Sequence, residues 1–242
     1  MKEAILVLGG AFNPVHTQHI ALLCSAKEEL EKTGAWNILG GYLAVATDGY
    51  VLHKLTPRNE RTMKLQHRLA LVRQAMKDIP WLINSPYQEE MLQQHDGSAL
   101  ALGQRLKRLV GKNDIQILIL IGGDRMVKKG VPIWRRSNSN QTSSNVLRVG
   151  VGRMTDENID LLQLWQQDLI ENRIHHPQEF RLLNISLRPV SSSLVRSHLT
   201  QWFNHPEKQT ELENDLVHTH AMLDANVMNY IKTHTNDLYI DT

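Results

Sequence analysis

Two histidines three positions apart, His16 and His19, follow the glycine pair Gly9-Gly10 in the segment GGAFNPVHTQH. A strand that stops at two glycines, followed by a helix that begins near Thr17, leaves free N–H groups and the helix dipole aimed at one point. Anions bind at such points. Positions three apart at a helix start face the same way, so both imidazoles could donate hydrogen bonds to a phosphate in transfer. The plainer alternative is a glycine turn with one capping histidine. A histidine pair without cysteine or a nearby carboxylate is a poor zinc site, so no metal ligand is expected from the protein. A second constellation, VSSSLVRSHL, sets Ser191, Ser192 and Ser193 ahead of Arg196. Serines at that point offer an N-cap and hydroxyl donors. Arg196, one turn into the helix, can present a planar fork to phosphate. Alone, this segment is also an ordinary helix start.

Both constellations need strands and helices in a definite order. Residues 4–8 (AILVL) and 115–121 (IQILILI) are continuous apolar runs that end at Gly9-Gly10 and at Gly122-Gly123-Asp124. They predict buried parallel strands. Further strands are expected at 42–46, 81–84, 147–151 and 181–185, and helices at about 19–32, 65–77, 99–110 and 161–171, from apolar residues at helical spacing. Alternating strands and helices predict an α/β fold, a Rossmann-like doubly wound parallel sheet. Ligands of such sheets sit at the carboxyl ends of the strands, where both glycine turns fall. Residues 137–145 (SNSNQTSSN) read as a polar loop. From 191 the chain becomes helical and polar, with an amphipathic stretch near 222–231. The expectation is a single domain, 1–242, with a mostly helical part over 191–242.

Composition sets outer limits. The chain has 242 residues, 41% hydrophobic and 21% charged, with a formal net charge of +2. That charge is too small to argue for nucleic acid, and a phosphate-rich substrate needs only a local basic pocket. The single cysteine, Cys24, permits no internal disulfide and suits a reducing compartment. It reads as a small apolar residue on a helix rather than a nucleophile. The opening Met1-Lys2-Glu3 runs straight into a short apolar strand, unlike a signal or transit peptide. No apolar run reaches the length of about 18 residues that a membrane span needs. A cytoplasmic protein is expected; a homo-oligomer stays open.

GGAFNPVHTQH resembles the G-[GS]-x-F-[ND]-P-x-H-x-x-H signature of nucleotidylyltransferases, relatives of the class I aminoacyl-tRNA synthetases, with every position filled. The resemblance implies that His16 and His19 contact ATP phosphates and stabilise the pentavalent transition state, while the backbone of Gly9, Gly10, Ala11 and Phe12 lines the nucleotide site. VSSSLVR resembles the family's I-S-S-T-x-[IV]-R, which grips the β- and γ-phosphates. Val190 and Ser193 stand where Ile and Thr are usual, and Ser193 keeps the hydroxyl.

The middle of the chain is similar to the nicotinamide or nicotinate mononucleotide adenylyltransferases, closest to the longer, eukaryote-type enzymes. That resemblance implies that Trp81 (IPWLIN) stacks on a pyridine ring, Trp134 (VPIW) closes the ring pocket, and Gly123-Asp124 binds a ribose hydroxyl of ATP. It also implies that Arg153 (VGVGR) lies near phosphate and that Asn13 and Lys54 serve the mononucleotide. His67-Arg68 resembles the family's H-R pair, on the helix after the mononucleotide loop. Segment 41–61 matches only loosely and 165–180 shows no motif. The implied reaction joins AMP from ATP to a pyridine mononucleotide, giving NAD or its deamido form plus pyrophosphate, with Mg²⁺ held mainly by ATP and water.

Three alternatives stay open. Another nucleotidylyltransferase, such as a pantetheine-phosphate or cytidylyl enzyme, gives Trp81 and Trp134 no role. A non-catalytic nucleotide sensor need not keep His16, His19 and Arg196. An RNA-binding relative is disfavoured by the near-neutral charge and the lack of interleaved basic and aromatic residues. The choice between amide and acid substrate is undecided.

Overall fold

The computed structural model describes residues 1–84, 98–112, 114–128, 130–136, 146–151 and 160–240. Five strands form one sheet: β1 (Lys2–Gly10), β2 (Trp36–Val45), β3 (Gln116–Gly122), β6 (Val146–Val151) and β7 (Phe180–Leu183). Their order is β2-β1-β3-β6-β7. β1 runs parallel to β3, β3 to β6 and β6 to β7, with Ile5 opposite Ile117 and Leu120 opposite Val149. Ala4, Ile5, Leu6 and Val7 are at most 2% exposed, because the strand is covered on both faces and every side chain must be apolar. From β1 the chain moves to the β2 edge, whereas β3 opens the other side. The strand order therefore reverses between β1 and β3, which makes their carboxyl ends the switch point of the doubly wound sheet. Two very short strands, β4 (Val127–Lys128) and β5 (Val131–Pro132), form a separate antiparallel pair.

Among the described residues the helices are α1 (Thr17–Lys32), α2 (Asp48–Leu55), α3 (Leu65–Met76), α4 (Ala99–Val110), α5 (Gly123–Met126), α6 (Leu161–Ile170), α7 (Ser192–Asn204), α8 (Gln209–Asn214) and α9 (Ala225–Thr233). α1 buries Leu22, Leu23, Ala26 and Leu30, the stripe its spacing predicts. α4 lies so close to β3 that a Cβ on Gly103 would come within 2.5 Å of Ile117 Cγ2.

The chain divides into two compact units, each assembled from separate stretches, rather than one domain with a C-terminal helical part. The first comprises Met1–Gly9, Leu22–Tyr42 and Ala99–Leu187, and holds the sheet. In it Met126, Val127, Trp134 and Leu161 make a buried cluster, with Ile121, Trp165, Phe180 and Leu182 packed against it. The second comprises Gly10–Ala21, Leu43–Ser98 and Arg188–Thr242. There the C-terminal helices are integral: α9 packs on α3, Lys64 N–H donates to Leu238 C=O at 3.0 Å, and Ile240 N–H donates to Thr62 C=O at 2.8 Å.

β2, residues 81–84 and α2 depart from the sequence reading for identifiable reasons. β2 begins at Trp36 rather than 42. It is an edge strand, so its apolar residues alternate (Trp36 and Ile38 buried, Leu39 exposed), and Gly40-Gly41 hides the pattern. Residues 81–84 are not a strand. Ile79 N–H donates to Met76 C=O and Leu82 N–H to Ile79 C=O, two successive turns around Pro80, which has no N–H of its own. α2 was not anticipated; Thr47 caps it by accepting from Tyr50 N–H, but only Val51 and Leu55 are buried, too few to show a period. The proposed loop at 137–145 lies outside the described residues.

Candidate active site

The glycine loop enters the second unit at Gly10. A Cβ on Gly10 would lie 3.0 Å from the Phe12 ring, so any larger residue there would force that ring to give by a few tenths of an ångström. Phe12 itself is buried with φ +45°, a left-handed conformation costly for a bulky residue and found where surrounding structure enforces it. Two side chains do the enforcing. Asn13 Nδ2 donates to Arg61 C=O at 3.0 Å, and Asn13 Oδ1 accepts from Met63 N–H at 2.7 Å. Arg68, fully buried, donates from Nη1 to Ala11 C=O (2.9 Å) and Ala46 C=O (2.7 Å), from Nε to Met63 C=O (3.1 Å), and from Nη2 to Asp48 Oδ1 (2.7 Å). Asn13, at 1% exposure, is thus committed to the chain. It shapes the loop and does not present its amide to a mononucleotide, a correction to the sequence reading.

His16 and His19 are brought together as their spacing requires, with ring centroids 3.7 Å apart. The His16 backbone N–H donates to His19 Nδ1 at 3.1 Å. That bond requires an unprotonated Nδ1, so in neutral His19 the proton sits on Nε2, which becomes a donor. The Phe12 ring meets His19 edge-on at 4.9 Å. Burial, reinforced by the Arg196 charge, lowers the His16 pKa from 6.5 to about 4. Burial also holds His19 well below its ordinary value, with His16 and then Lys54 adding to the effect. Lys54, exposed on α2, therefore bears electrostatically on His19.

Arg196 joins the histidines from α7. Its Nη1 donates to Asn13 C=O at 2.9 Å, and its Nη2 donates to Ser193 Oγ at 2.9 Å and to a Glu60 carboxylate oxygen. The three serines divide the work at the helix start. Ser191 Oγ caps by accepting from Leu194 N–H (3.2 Å), Ser192 Oγ donates to Pro14 C=O (3.3 Å), and Ser193 orients Arg196. Among the described residues, three buried side-chain polar atoms have no hydrogen-bond partner: His16 Nδ1, Arg196 Nε and Trp202 Nε1. Native proteins pair nearly all such atoms, and two of these three fall on His16 and Arg196, where a polar ligand or water would have unmet partners. His16, His19, Lys54 and Arg196 offer hydrogen bonds and positive charge, which suit an anion. Among the described residues there is no group of three or more metal-ligating side chains.

The depressed His16 pKa has a stability consequence. The unfolded chain takes up this proton below pH 6.5 and the folded chain only near pH 4, so stability from this group is full above pH 6.5 and falls as pH drops through that window. At pH 5 the loss is about 2 kcal/mol. Urea unfolding at pH 7.5 and pH 5 checks this: His16→Gln should lose less stability than wild type by about that amount, and equal losses would refute the assignment.

The remaining candidates fall in the first unit, in the turn after α3, or outside the described residues. Gly9 and Gly123 stand at the carboxyl ends of β1 and β3, and Arg125 Nη1 donates to Gly9 C=O at 3.4 Å. Asp124 contributes backbone to α5; its side chain and Arg153 lie outside the described residues. Trp81 is half-buried in the turn after α3. Trp134 is a correction. It is 0% exposed, its Nε1 donates to Asp168 Oδ2 at 2.7 Å, and the Trp165 ring meets it edge-on at 5.2 Å. It offers no ring face to a ligand. Asp168, equally buried, also takes Arg135 and Arg173, and together they hold Trp134 in the core. Cys24 sits half-buried on α1 with its thiol pKa raised chiefly by burial, as a packing residue would be.

The sequence profile of the Cytidylyltransferase-like family matches residues 7–198, a span that contains the glycine loop, both histidines and Arg196. The chain belongs to this family. Among curated relatives of this cytidylyltransferase-like chain, nicotinamide/nicotinic acid mononucleotide adenylyltransferase 2 of Danio rerio is 31% identical over 86 residues, 36% of this chain and 26% of that one. The nicotinamide/nicotinic acid mononucleotide adenylyltransferase of Oryza sativa subsp. japonica is 24% identical over 138 residues, 54% and 51% of the two chains. The chain thus spans about half or less of the relatives it matches. The Plasmodium falciparum nicotinic acid mononucleotide adenylyltransferase complexed with APC superposes with a TM-score of 0.52 at 15% identity, covering 98% and 97% of the two chains; this likeness speaks to the fold.

Sequence reasoning about this cytidylyltransferase-like chain missed Glu60, Asp168 and the role of Arg68. A charged residue inside an apolar helical stripe, as Arg68 is between His67 and Leu69, is the signal that could have exposed the last. Glu60 carries no local signal, since its partner lies 136 positions away; Asp168 has Arg173 five positions on, but its bond to Trp134 spans 34.

Proposed function

We propose that this protein transfers AMP from ATP to a pyridine mononucleotide, releasing pyrophosphate, and so serves NAD biosynthesis. The observation that carries the reading is the pair of orphaned buried atoms, His16 Nδ1 and Arg196 Nε, on two motifs that lie within the span the family profile matches. The names of the matched relatives support a pyridine substrate. The mononucleotide 5′-phosphate oxygen attacks the α-phosphorus in line, the bond to the bridging oxygen breaks, and pyrophosphate leaves. Catalysis is positioning plus neutralisation of developing charge. His19 Nε2–H and the His16 imidazole donate to the transferring phosphate. Arg196 receives the β- and γ-phosphates, Lys54 adds positive charge, and the backbone from Gly10 to Phe12 approaches the nucleotide. Mg²⁺ would supply further charge neutralisation, carried by ATP because the donor set here suits anions. Trp81 remains the candidate for stacking on the pyridine ring. No helix among the described residues is long and apolar enough to cross a membrane, and the lone cysteine favours the cytoplasm.

The test incubates protein and Mg²⁺ with ATP or CTP and each of the two mononucleotides. The expected result is dinucleotide and pyrophosphate from ATP. Turnover with CTP alone would move the chain to a cytidylyl reaction, and no product from any pair would overturn the proposal.

A further inference from the structure

Arg196 does not wait empty for an anion. Its Nη2 already holds the carboxylate of Glu60, with the two side chains only 10% and 27% exposed. Glu60 is not a stray surface group. Its N–H donates to Leu55 C=O at 3.3 Å, and Asn59 before it takes a left-handed turn at φ +54°. After it, the Arg61 carbonyl is held by Asn13 Nδ2, and the Arg61 guanidinium lies 3.9 Å from the Tyr239 ring centroid. The short segment is pinned on both sides, so the carboxylate is delivered to Arg196 by the fold. At the same guanidinium, Nη1 is bound to the Asn13 carbonyl and Nε is buried without a partner.

A polyphosphate that engages Arg196 must therefore displace Glu60 or lie beside its charge, and like charges at that range repel strongly in a partly buried site. We propose that Glu60 is the resident counter-ion of Arg196, a positioning residue that weakens the pocket's hold on polyphosphate and speeds the departure of pyrophosphate. The inference rests on the adenylyltransferase reading, which makes pyrophosphate the leaving product. In the free protein Glu60 is paired with the guanidinium beside His16. When ATP arrives, its phosphates exchange for the carboxylate, and the same carboxylate returns as pyrophosphate leaves.

The test measures calorimetric binding of inorganic pyrophosphate with Mg²⁺ to the full chain, which needs no turnover. Glu60→Gln is expected to bind pyrophosphate roughly 10-fold more tightly than wild type, and to lower KM for ATP without raising kcat. The gain should vanish in the double variant Glu60→Gln/Arg196→Gln, since it acts through that guanidinium. If Glu60→Gln does not fold, Glu60→Met carries the same test with a neutral chain of similar length. Unchanged or weaker pyrophosphate binding in a folded variant, or a gain that survives loss of Arg196, overturns the proposal. Tighter binding without any dinucleotide formation would instead retain Glu60 as counter-ion and remove the adenylyltransferase reading.

Discussion

His19→Ala is expected to lower kcat for dinucleotide formation by roughly 10²-fold or more, the scale for losing one preorganised transition-state donor. Geometry separates the donor from the scaffold. His19 Nδ1 accepts the His16 backbone N–H at 3.1 Å, which leaves the Nε2 proton facing outward from that bond. His19→Asn sets an oxygen near the Nδ1 position and keeps the loop bond, but has nothing at Nε2. It should fold like wild type and lose as much kcat as alanine. His19→Gln reaches toward the Nε2 position with an amide N–H and should recover part of the rate. Single-turnover rates with saturating ATP and mononucleotide, measured beside melting temperatures, decide the matter. A kcat within a few-fold of wild type in both the Ala and Asn variants would remove His19 from the chemistry.

Arg68→Met should cost about 3–5 kcal/mol of stability, since it strips the donor from three carbonyls at about 1–3 kcal/mol for each group left unsatisfied. For a chain of this size that corresponds to a drop in Tm of roughly 6–20 °C. The cause is specific. One fully buried guanidinium satisfies three carbonyls, those of Ala11, Ala46 and Met63, together with the Asp48 carboxylate. An apolar side chain of similar length fills the volume and satisfies none. Arg68→Lys keeps the charge but cannot span four acceptors from one nitrogen, so it should fall between methionine and wild type. Asp48→Asn should cost much less, because that carboxylate is 39% exposed and keeps water as a partner. Because Ala11 belongs to the glycine loop, a folded Arg68→Lys variant should also lose kcat. Thermal unfolding of all three variants tests the ranking; an Arg68→Met protein melting within a degree or two of wild type would refute it.

Much of the site was legible because it is local. A strand of five apolar residues, two glycines, a histidine pair at helical spacing and a serine-capped helix each carry their geometry within a few residues. β1, α1 and α7 stand close to where the pattern put them. The element limits elsewhere failed for identifiable reasons. The edge position of β2 replaced a continuous apolar run by an alternating one around Gly40-Gly41. Pro80 turned the chain where 81–84 read as a strand. α2 buries too little to show a period.

The sequence by itself determined the α/β class, the carboxyl-end glycine turns, the pairing of His16 with His19 and the presence of Arg196 one turn into a capped helix. Short-range geometry enforces all of these. Only the tertiary structure decided what those groups are paired with. VPIW reads the same whether its tryptophan lines a pocket or fills a core. The choice is made by Asp168, Arg135 and Arg173, which hold Trp134 inside. Asn13 reads as a ligand residue until Arg61 and Met63 take both ends of its amide. Arg196 reads as an open phosphate fork until Glu60, 136 positions away, is found on it. Hydrogen-bond partners across such separations are fixed by the packing of elements and leave no period or spacing in the chain.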